Sequence, residues 1–167
     1  MTVSPPADVS VDITVRRGTG SGRTPLAAFD SALLEAGVAN LNLITLSSVI
    51  PPGSRITHTN DVLEAAHGDR LYCVLSVGHA DRPGKIVWAG IGWVIDEETG
   101  KGLFVEHHAG SEESLHEQIT LSLADMTESR GGGYGPVQFA TATAHCTDKP
   151  VCALVVAAYT VAGWDER

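Results

Sequence analysis

Asn40-Leu41-Asn42-Leu43-Ile44-Thr45-Leu46-Ser47-Ser48-Val49-Ile50-Pro51-Pro52-Gly53 is the densest signal in the chain. Leu41 to Val49 reads as a buried strand. Pro51 and Pro52 remove ladder donors and force the turn that ends it. Two adjacent serines therefore sit at a strand end, in a constrained peptide bond with a hydroxyl immediately after it. Taken by itself this is a strand terminus and nothing more.

Upstream, Val11, Ile13 and Val15 alternate with Asp12, Thr14 and Arg16, the period of a half-buried strand. The Gly18-Thr19-Gly20-Ser21-Gly22 run is then expected as a loop. Arg23 stands where a dinucleotide fingerprint needs glycine, and neither a Walker Lys-Ser/Thr pair nor a Gly-x-Ser-x-Gly elbow is present, so the run reads as a strand-to-helix turn. Thr24 as N-cap, Pro25 at the first helical position and Gly37 as terminator predict a helix over 25–36. Steps of 100° around it place Phe29, Asp30, Leu33 and Leu34 in one arc, which puts Asp30 inside the apolar stripe. A desolvated carboxylate needs a partner: a buried cation, backbone donors, a neighbouring loop or a cationic ligand.

Downstream, residues 54–69 are ambiguous, with a candidate short helix at Val62 to His67. Leu71 to Gly78, Ile86 to Ile95 and Leu103 to His108 are strand candidates, and the Arg82-Pro83-Gly84 and Glu98-Thr99-Gly100 turns between them suggest hairpins. Glu112 to Ser129 is a helix with Leu115, Ile119, Leu123 and Met126 on one face and Ser111 as N-cap. After Gly131-Gly132-Gly133 come two last strands, Val137 to Ala144 and Val151 to Tyr159. This order is too rich in strands for a doubly wound sheet and too interrupted for a pure sandwich, so the fold class is α+β. Residues 1–10 read as a flexible arm and 11–167 as a single domain.

The 167 residues are 43% hydrophobic, enough for one self-sufficient core. Eleven Lys and Arg against twenty Asp and Glu give a net charge of -9, a field that repels phosphate backbones and anionic lipid. Nucleic acid and membrane surfaces are poor partners for such a chain. The N-terminus lacks the basic and apolar blocks of a signal peptide, and Val151 to Trp164 is too short for a bilayer span, so a cytoplasmic location is expected. Cys73, Cys146 and Cys152 have no paired spacing and read as reduced thiols. His116-Glu117 is followed by Thr120 where a zincin needs histidine, and His107 and His108 point to opposite faces of a strand, so no metal is expected. Glu106 shares a strand face with Phe104 and His108. It is a candidate proton donor or an ordinary solvated carboxylate.

The run Thr24-Pro25-Leu26-Ala27-Ala28-Phe29-Asp30-Ser31-Ala32-Leu33-Leu34-Glu35-Ala36-Gly37, continued through Asn42, Ser47-Ser48, Pro51-Pro52 and Gly102-Leu103-Phe104-Val105-Glu106, closely resembles the pyruvoyl-dependent arginine decarboxylases. The likeness extends over roughly residues 12–160. It implies that the chain cuts itself between Ser47 and Ser48: the Ser48 hydroxyl attacks the Ser47 carbonyl, and the resulting ester eliminates to dehydroalanine and hydrolyses to a pyruvoyl group. That covalent pyruvoyl group, derived from Ser48, would be the cofactor, with no metal and no pyridoxal phosphate. L-arginine would be decarboxylated through a Schiff base to agmatine and CO2. The resemblance assigns Glu106 as the catalytic acid, Asp30 as the group binding the guanidinium, and Asn42 as an asparagine beside the cleavage site. It implies a four-layer α/β/β/α sandwich with mainly antiparallel sheets, assembled as a homotrimer or a dimer of trimers with active sites between subunits. The substrate would be a small cationic amino acid. Histidine, ornithine or lysine are the alternative substrates, and an unprocessed binding or scaffold homologue is the alternative class.

Overall fold

The computed structural model describes residues 11–165, so the arm expected at 1–10 lies outside the described residues. The elements run β1 (Asp12–Ser21), α1 (Pro25–Ala36), β2 (Asn42–Thr45), β3 (Val49–Ile50), β4 (Arg55–His58), β5 (Arg70–Ala80), β6 (Ile86–Ile95), β7 (Gly102–Ala109), α2 (Glu112–Glu128), β8 (Gln138–His145) and β9 (Val151–Ala162). They form two sheets, ordered β2-β5-β9-β1-β4 and β3-β7-β6-β8. The second is antiparallel throughout, whereas the first has parallel pairs at its two edges, β1 with β4 and β2 with β5.

Three apolar layers hold four structural layers together. Between the sheets lie Ile13, Val15, Ile50, Val74, Trp93, Phe104, Val155 and Ala157. Leu71, Cys73, Leu154 and Val156 pack the first sheet against α1, and Val94, Leu103 and Val105 pack the second against Leu115, Ile119 and Leu123 of α2. The order is thus α1, sheet, sheet, α2, the expected α+β sandwich. β9 shows how the sequence encodes a central strand: Val151 to Ala158 is buried at every position because alternate residues enter two different layers.

The helix ends follow local chemistry. Thr24 Oγ1 accepts the Ala27 N–H at 3.1 Å, and Gly37 adopts φ 79°, the left-handed turn that closes α1. Ser111 Oγ accepts the Ser114 N–H at 3.2 Å at the start of α2. Arg16, almost fully buried, donates to the Ala36 carbonyl at 3.1 Å and to the Asp61 carbonyl, tying β1 to the negative end of α1 and to the following loop.

Several expectations are corrected. The glycine run is not a loop, since β1 continues through Gly18 and Gly20 to Ser21. Those glycines let α1 sit close on the strand: a Cβ on Gly20 would lie 2.5 Å from the Ala32 nitrogen, and one on Gly18 would collide with the Ala32 carbonyl. Leu41 to Val49 is not one strand but β2 and β3 in different sheets, broken at Leu46 to Ser48. The segment 54–69 carries β4, which pairs in parallel with β1, and has no helix at Val62 to His67. β6 and β7 form the expected hairpin, but β5 and β6 fall in opposite sheets, so the turn at Arg82 to Gly84 is a crossing between layers. Among the described residues no helix is long and apolar enough to cross a membrane. Cys73, Cys146 and Cys152 are buried free thiols.

Candidate active site

The chain leaves the edge of the first sheet at β2 and enters the edge of the second at β3, and Ser47-Ser48 is the crossing itself. Both sides are anchored. Leu46 N–H donates to the Cys73 carbonyl at 2.8 Å, and Phe104 N–H donates to the Ser48 carbonyl at 2.7 Å. Between these anchors the backbone folds sharply: the Val49 N–H reaches back to the Ser47 carbonyl, with Ser48 at φ 29°. A left-handed serine costs on the order of 1–3 kcal/mol and persists only where its surroundings impose it.

Ser48 Oγ donates to Glu106 Oε2 at 3.1 Å. β7 supplies that carboxylate because Phe104 and Glu106 lie on the same strand face. Phe104 fills the core between the sheets, and two residues further Glu106 emerges at the open edge beyond the end of β3. A hydroxyl and a carboxylate are therefore in contact, while the Ser47 carbonyl beside them accepts an N–H from two residues along the chain. That constellation favours acyl transfer within one chain.

Tyr159 belongs to this site and carries no sequence-level assignment. Its hydroxyl donates to the Val49 carbonyl at 2.9 Å and its ring stands edge-on to Phe104, 6.1 Å between centroids. Burial pushes its pKa well above the ordinary tyrosine value, so it remains a donor. The available signal was a tyrosine ending an otherwise apolar run, a ring in the core with a polar tip to satisfy.

Neither Asp30 nor Asn42 makes a hydrogen bond to Ser48 among the described residues. Asp30 is exposed, contrary to the expected burial in the apolar stripe, because the face of α1 that packs on the sheet is Ala28, Ala32, Leu33 and Ala36. Small side chains fit against Gly18 and Gly20, whereas Leu26 and Leu34, 75% and 61% exposed, stay outside and flank Asp30 one turn away on either side. The side-chain amide of Asn42 donates to the Gly68 carbonyl at 2.9 Å, at the start of β2 rather than at the junction. A separate cleft of about 270 Å³, floored by Trp93 and rimmed by His58, Glu97 and Gln138, opens between the other edges of the two sheets, at β4 and β8, and contains none of the site residues.

The family model for pyruvoyl-dependent arginine decarboxylase matches residues 12–162. A pyruvoyl-dependent arginine decarboxylase from Thermococcus kodakarensis is 33% identical over 139 residues, 83% of this chain and 87% of that one. One from Methanocaldococcus jannaschii is 30% identical over 148 residues, 87% of each chain. One from Methanococcoides burtonii is 35% identical over 101 residues, 59% of this chain and little more than half, 56%, of its own length. Among solved structures, a pyruvoyl-dependent histidine decarboxylase at pH 8 matches with a TM-score of 0.42 at 18% identity, covering 59% of this chain and 54% of that one.

Proposed function

The chain belongs to the pyruvoyl-dependent arginine decarboxylase family, and from that premise we propose that it cuts its own backbone between Ser47 and Ser48 and decarboxylates L-arginine to agmatine and CO2. It is then a carboxy-lyase. The observation that carries the reading is the contact of Ser48 Oγ with the Glu106 carboxylate, beside a Ser47 carbonyl already engaged by the Val49 N–H.

In the first step Glu106 takes the Ser48 hydroxyl proton as Oγ bonds to the Ser47 carbonyl carbon. The Val49 N–H faces the oxygen on which negative charge gathers. The Ser47–Ser48 C–N bond then breaks and the Ser48 nitrogen takes the proton, leaving an ester from Ser47 to Ser48 Oγ. Loss of the Ser48 α-proton with departure of the Ser47 carboxylate gives dehydroalanine, and water releases ammonia to leave the keto group. The residues around position 48 fit a pyruvoyl group: a carboxylate lies on one side, and the Phe104 N–H already holds the carbonyl that becomes its amide oxygen. That group supplies a ketone that takes up the substrate's α-amine and accepts the electron pair left when CO2 departs. Glu106, freed of Oγ, is placed to hold the proton that the α-carbon then receives, and the Phe104 N–H steadies charge on the neighbouring carbonyl.

Asp30 lies in the outer helix layer, on the far side of the five-stranded sheet from the inter-sheet core, so it reads a substrate bound at another protomer's Ser48. The exposed Leu26–Asp30–Leu34 strip is the surface for this: apolar walls for an aliphatic stem and a carboxylate for the guanidinium, which a planar fork engages with two bonds. A homotrimer, or a dimer of trimers, supplies the second protomer, and the cytoplasm is the compartment that suits three buried thiols. Asn42 orients the chain ahead of the junction through its bond to Gly68.

Intact-mass analysis tests the reading. Fragments 1–47 and 48–167 are expected, the latter carrying a carbonyl that borohydride reduces, and Ser48→Ala should stay whole, folded and inactive. Agmatine should form from arginine in preference to the products of ornithine, lysine or histidine. A folded wild-type chain that remains unbroken sinks the proposal and leaves the scaffold reading.

A further inference from the structure

The segment that carries Ser48 has a weak hold on its own sheet. β3 is two residues long, lies at an open edge, and pairs with β7 through Val49 and Ile50. On the other side the chain is anchored by the Leu46 N–H, and a break after Ser47 disconnects residue 48 from that anchor. Its position then depends on what lies after it in the chain.

Among the described residues, one side-chain hydrogen bond reaches this segment from the opposite sheet: Tyr159 Oη to the Val49 carbonyl, 2.9 Å. The preceding carbonyl, that of Ser48, accepts the Phe104 N–H, and the rings of Tyr159 and Phe104 pack edge to face at 61°. Two successive carbonyls are thus fixed by two residues that also fix each other. The backbone of β9 is adapted to this contact. In its pairing with β5, Tyr72 faces Thr160 and Cys73 faces Ala158, so Tyr159 is the extra residue of a β-bulge. Bulges re-aim a side chain at the expense of ladder regularity, and here the re-aimed hydroxyl belongs to the middle strand of five.

We propose that Tyr159 is a positioning residue for the site, its hydroxyl pinning the Ser48–Val49 segment to the central strand of the opposite sheet so that residue 48 stays beside Glu106 before and after scission. This rests on the self-cleavage reading above. Among the described residues Tyr159 makes no hydrogen bond to Asp30 or Glu106 and bonds instead to the Val49 carbonyl, so it acts through the backbone of residues 48 and 49.

Tyr159→Phe keeps the ring and removes one oxygen. The chain should fold, and the first-order appearance of fragment 48–167 should slow by roughly tenfold, the order of one positioning hydrogen bond. In Ser48→Ala chains, which cannot cut, the 13C resonance of the Val49 carbonyl should move upfield when Tyr159 is replaced by Phe. A role in packing alone does not move that resonance. In the cleaved protein kcat should fall with KM unchanged. Should Tyr159→Phe fail to fold, 3-fluorotyrosine at position 159 preserves the shape while strengthening the donor: the resonance should move downfield and scission should be at least as fast as in the wild type. An unmoved resonance, or a moved resonance with scission at the wild-type rate in Tyr159→Phe, overturns the assignment. A wild-type chain that never cuts is a separate outcome, which refutes self-cleavage and with it the task given to Tyr159.

Discussion

Replacing Glu106 by Gln changes the site at the one side-chain hydrogen bond that the Ser48 hydroxyl makes among the described residues, the 3.1 Å bond to Oε2. The amide oxygen of Gln still accepts a hydrogen bond, so geometry is retained. Two effects are lost. A charged acceptor becomes neutral, worth about 1 kcal/mol of positioning or roughly a fivefold change in rate, and the base that takes the proton disappears, worth about 10²–10⁴ in rate. Scission should therefore slow by at least about a hundredfold. Glu106 is exposed and makes no other side-chain hydrogen bond among the described residues, so stability should stay within about 0.5 kcal/mol of the wild type. Glu106→Asp gives an intermediate case: the carboxylate is kept but retracts by about 1.5 Å, beyond direct reach of Oγ. The assay is the mass-resolved fraction of fragment 48–167 against time after refolding, with circular dichroism as the fold control. A well-folded Gln variant that cuts at the wild-type rate refutes Glu106 as the base.

Other substitutions separate substrate binding from scission and probe the packing. Asp30→Asn should raise KM for arginine by roughly 10–100-fold, the value of charge-assisted hydrogen bonds, and leave scission untouched. An unchanged KM removes Asp30 from substrate binding. Gly18→Ala places a methyl against the Ala32 carbonyl and should cost about 1–3 kcal/mol. For 167 residues that corresponds to a fall in Tm of about 3–9 °C by calorimetry in the Ser48→Ala background, and an unmoved transition contradicts the close packing of α1 on β1. Burial pushes the thiols of Cys73 and Cys152 from 9.0 up to about 11, so between those values the native chain keeps protons that the unfolded chain loses. Their contribution is complete below pH 9 and declines as pH rises towards 11, by at most ~3 kcal/mol per thiol. Urea unfolding at pH 8 and pH 10.5 should show a smaller decline in the Cys73→Ala/Cys152→Ala chain, and equal slopes would contradict the burial effect.

The sequence displays the parts of this fold whose signals are local. Thr24, Pro25 and Gly37 bound α1 correctly because caps act within a few residues, and Leu115, Ile119 and Leu123 mark the buried face of α2. Signals that depend on a neighbouring layer are hidden. The glycines of β1 look like a turn until α1 lies against them, and the buried face of α1 is made of alanines, so ranking by bulk selects Leu26 and Leu34, which lie outside. The break of Leu41 to Val49 into two edge strands is likewise set by which sheet each half joins. At the candidate site, Ser48 and Glu106 were legible as a pair through the family likeness, and the structure places them in contact. The donors that complete the site, the N–H groups of Val49 and Phe104, are backbone atoms with no residue signature, and Tyr159 reaches it through a bulge that no periodicity announces.

The crossing of the chain from one sheet to the other has a consequence for assembly. β1, α1 and β2 all precede Ser48, and β1 is sandwiched between β9 and β4, which follow it. Once severed, the two pieces are a heterodimer woven through a shared sheet, unable to part without losing its interior. Heating such a molecule yields two free polypeptides instead of one, so its melting point rises with protein concentration and its renaturation becomes second order. The uncut Ser48→Ala chain would keep a unimolecular route home, whereas the separated halves of a cut chain would have to find their shape by collision.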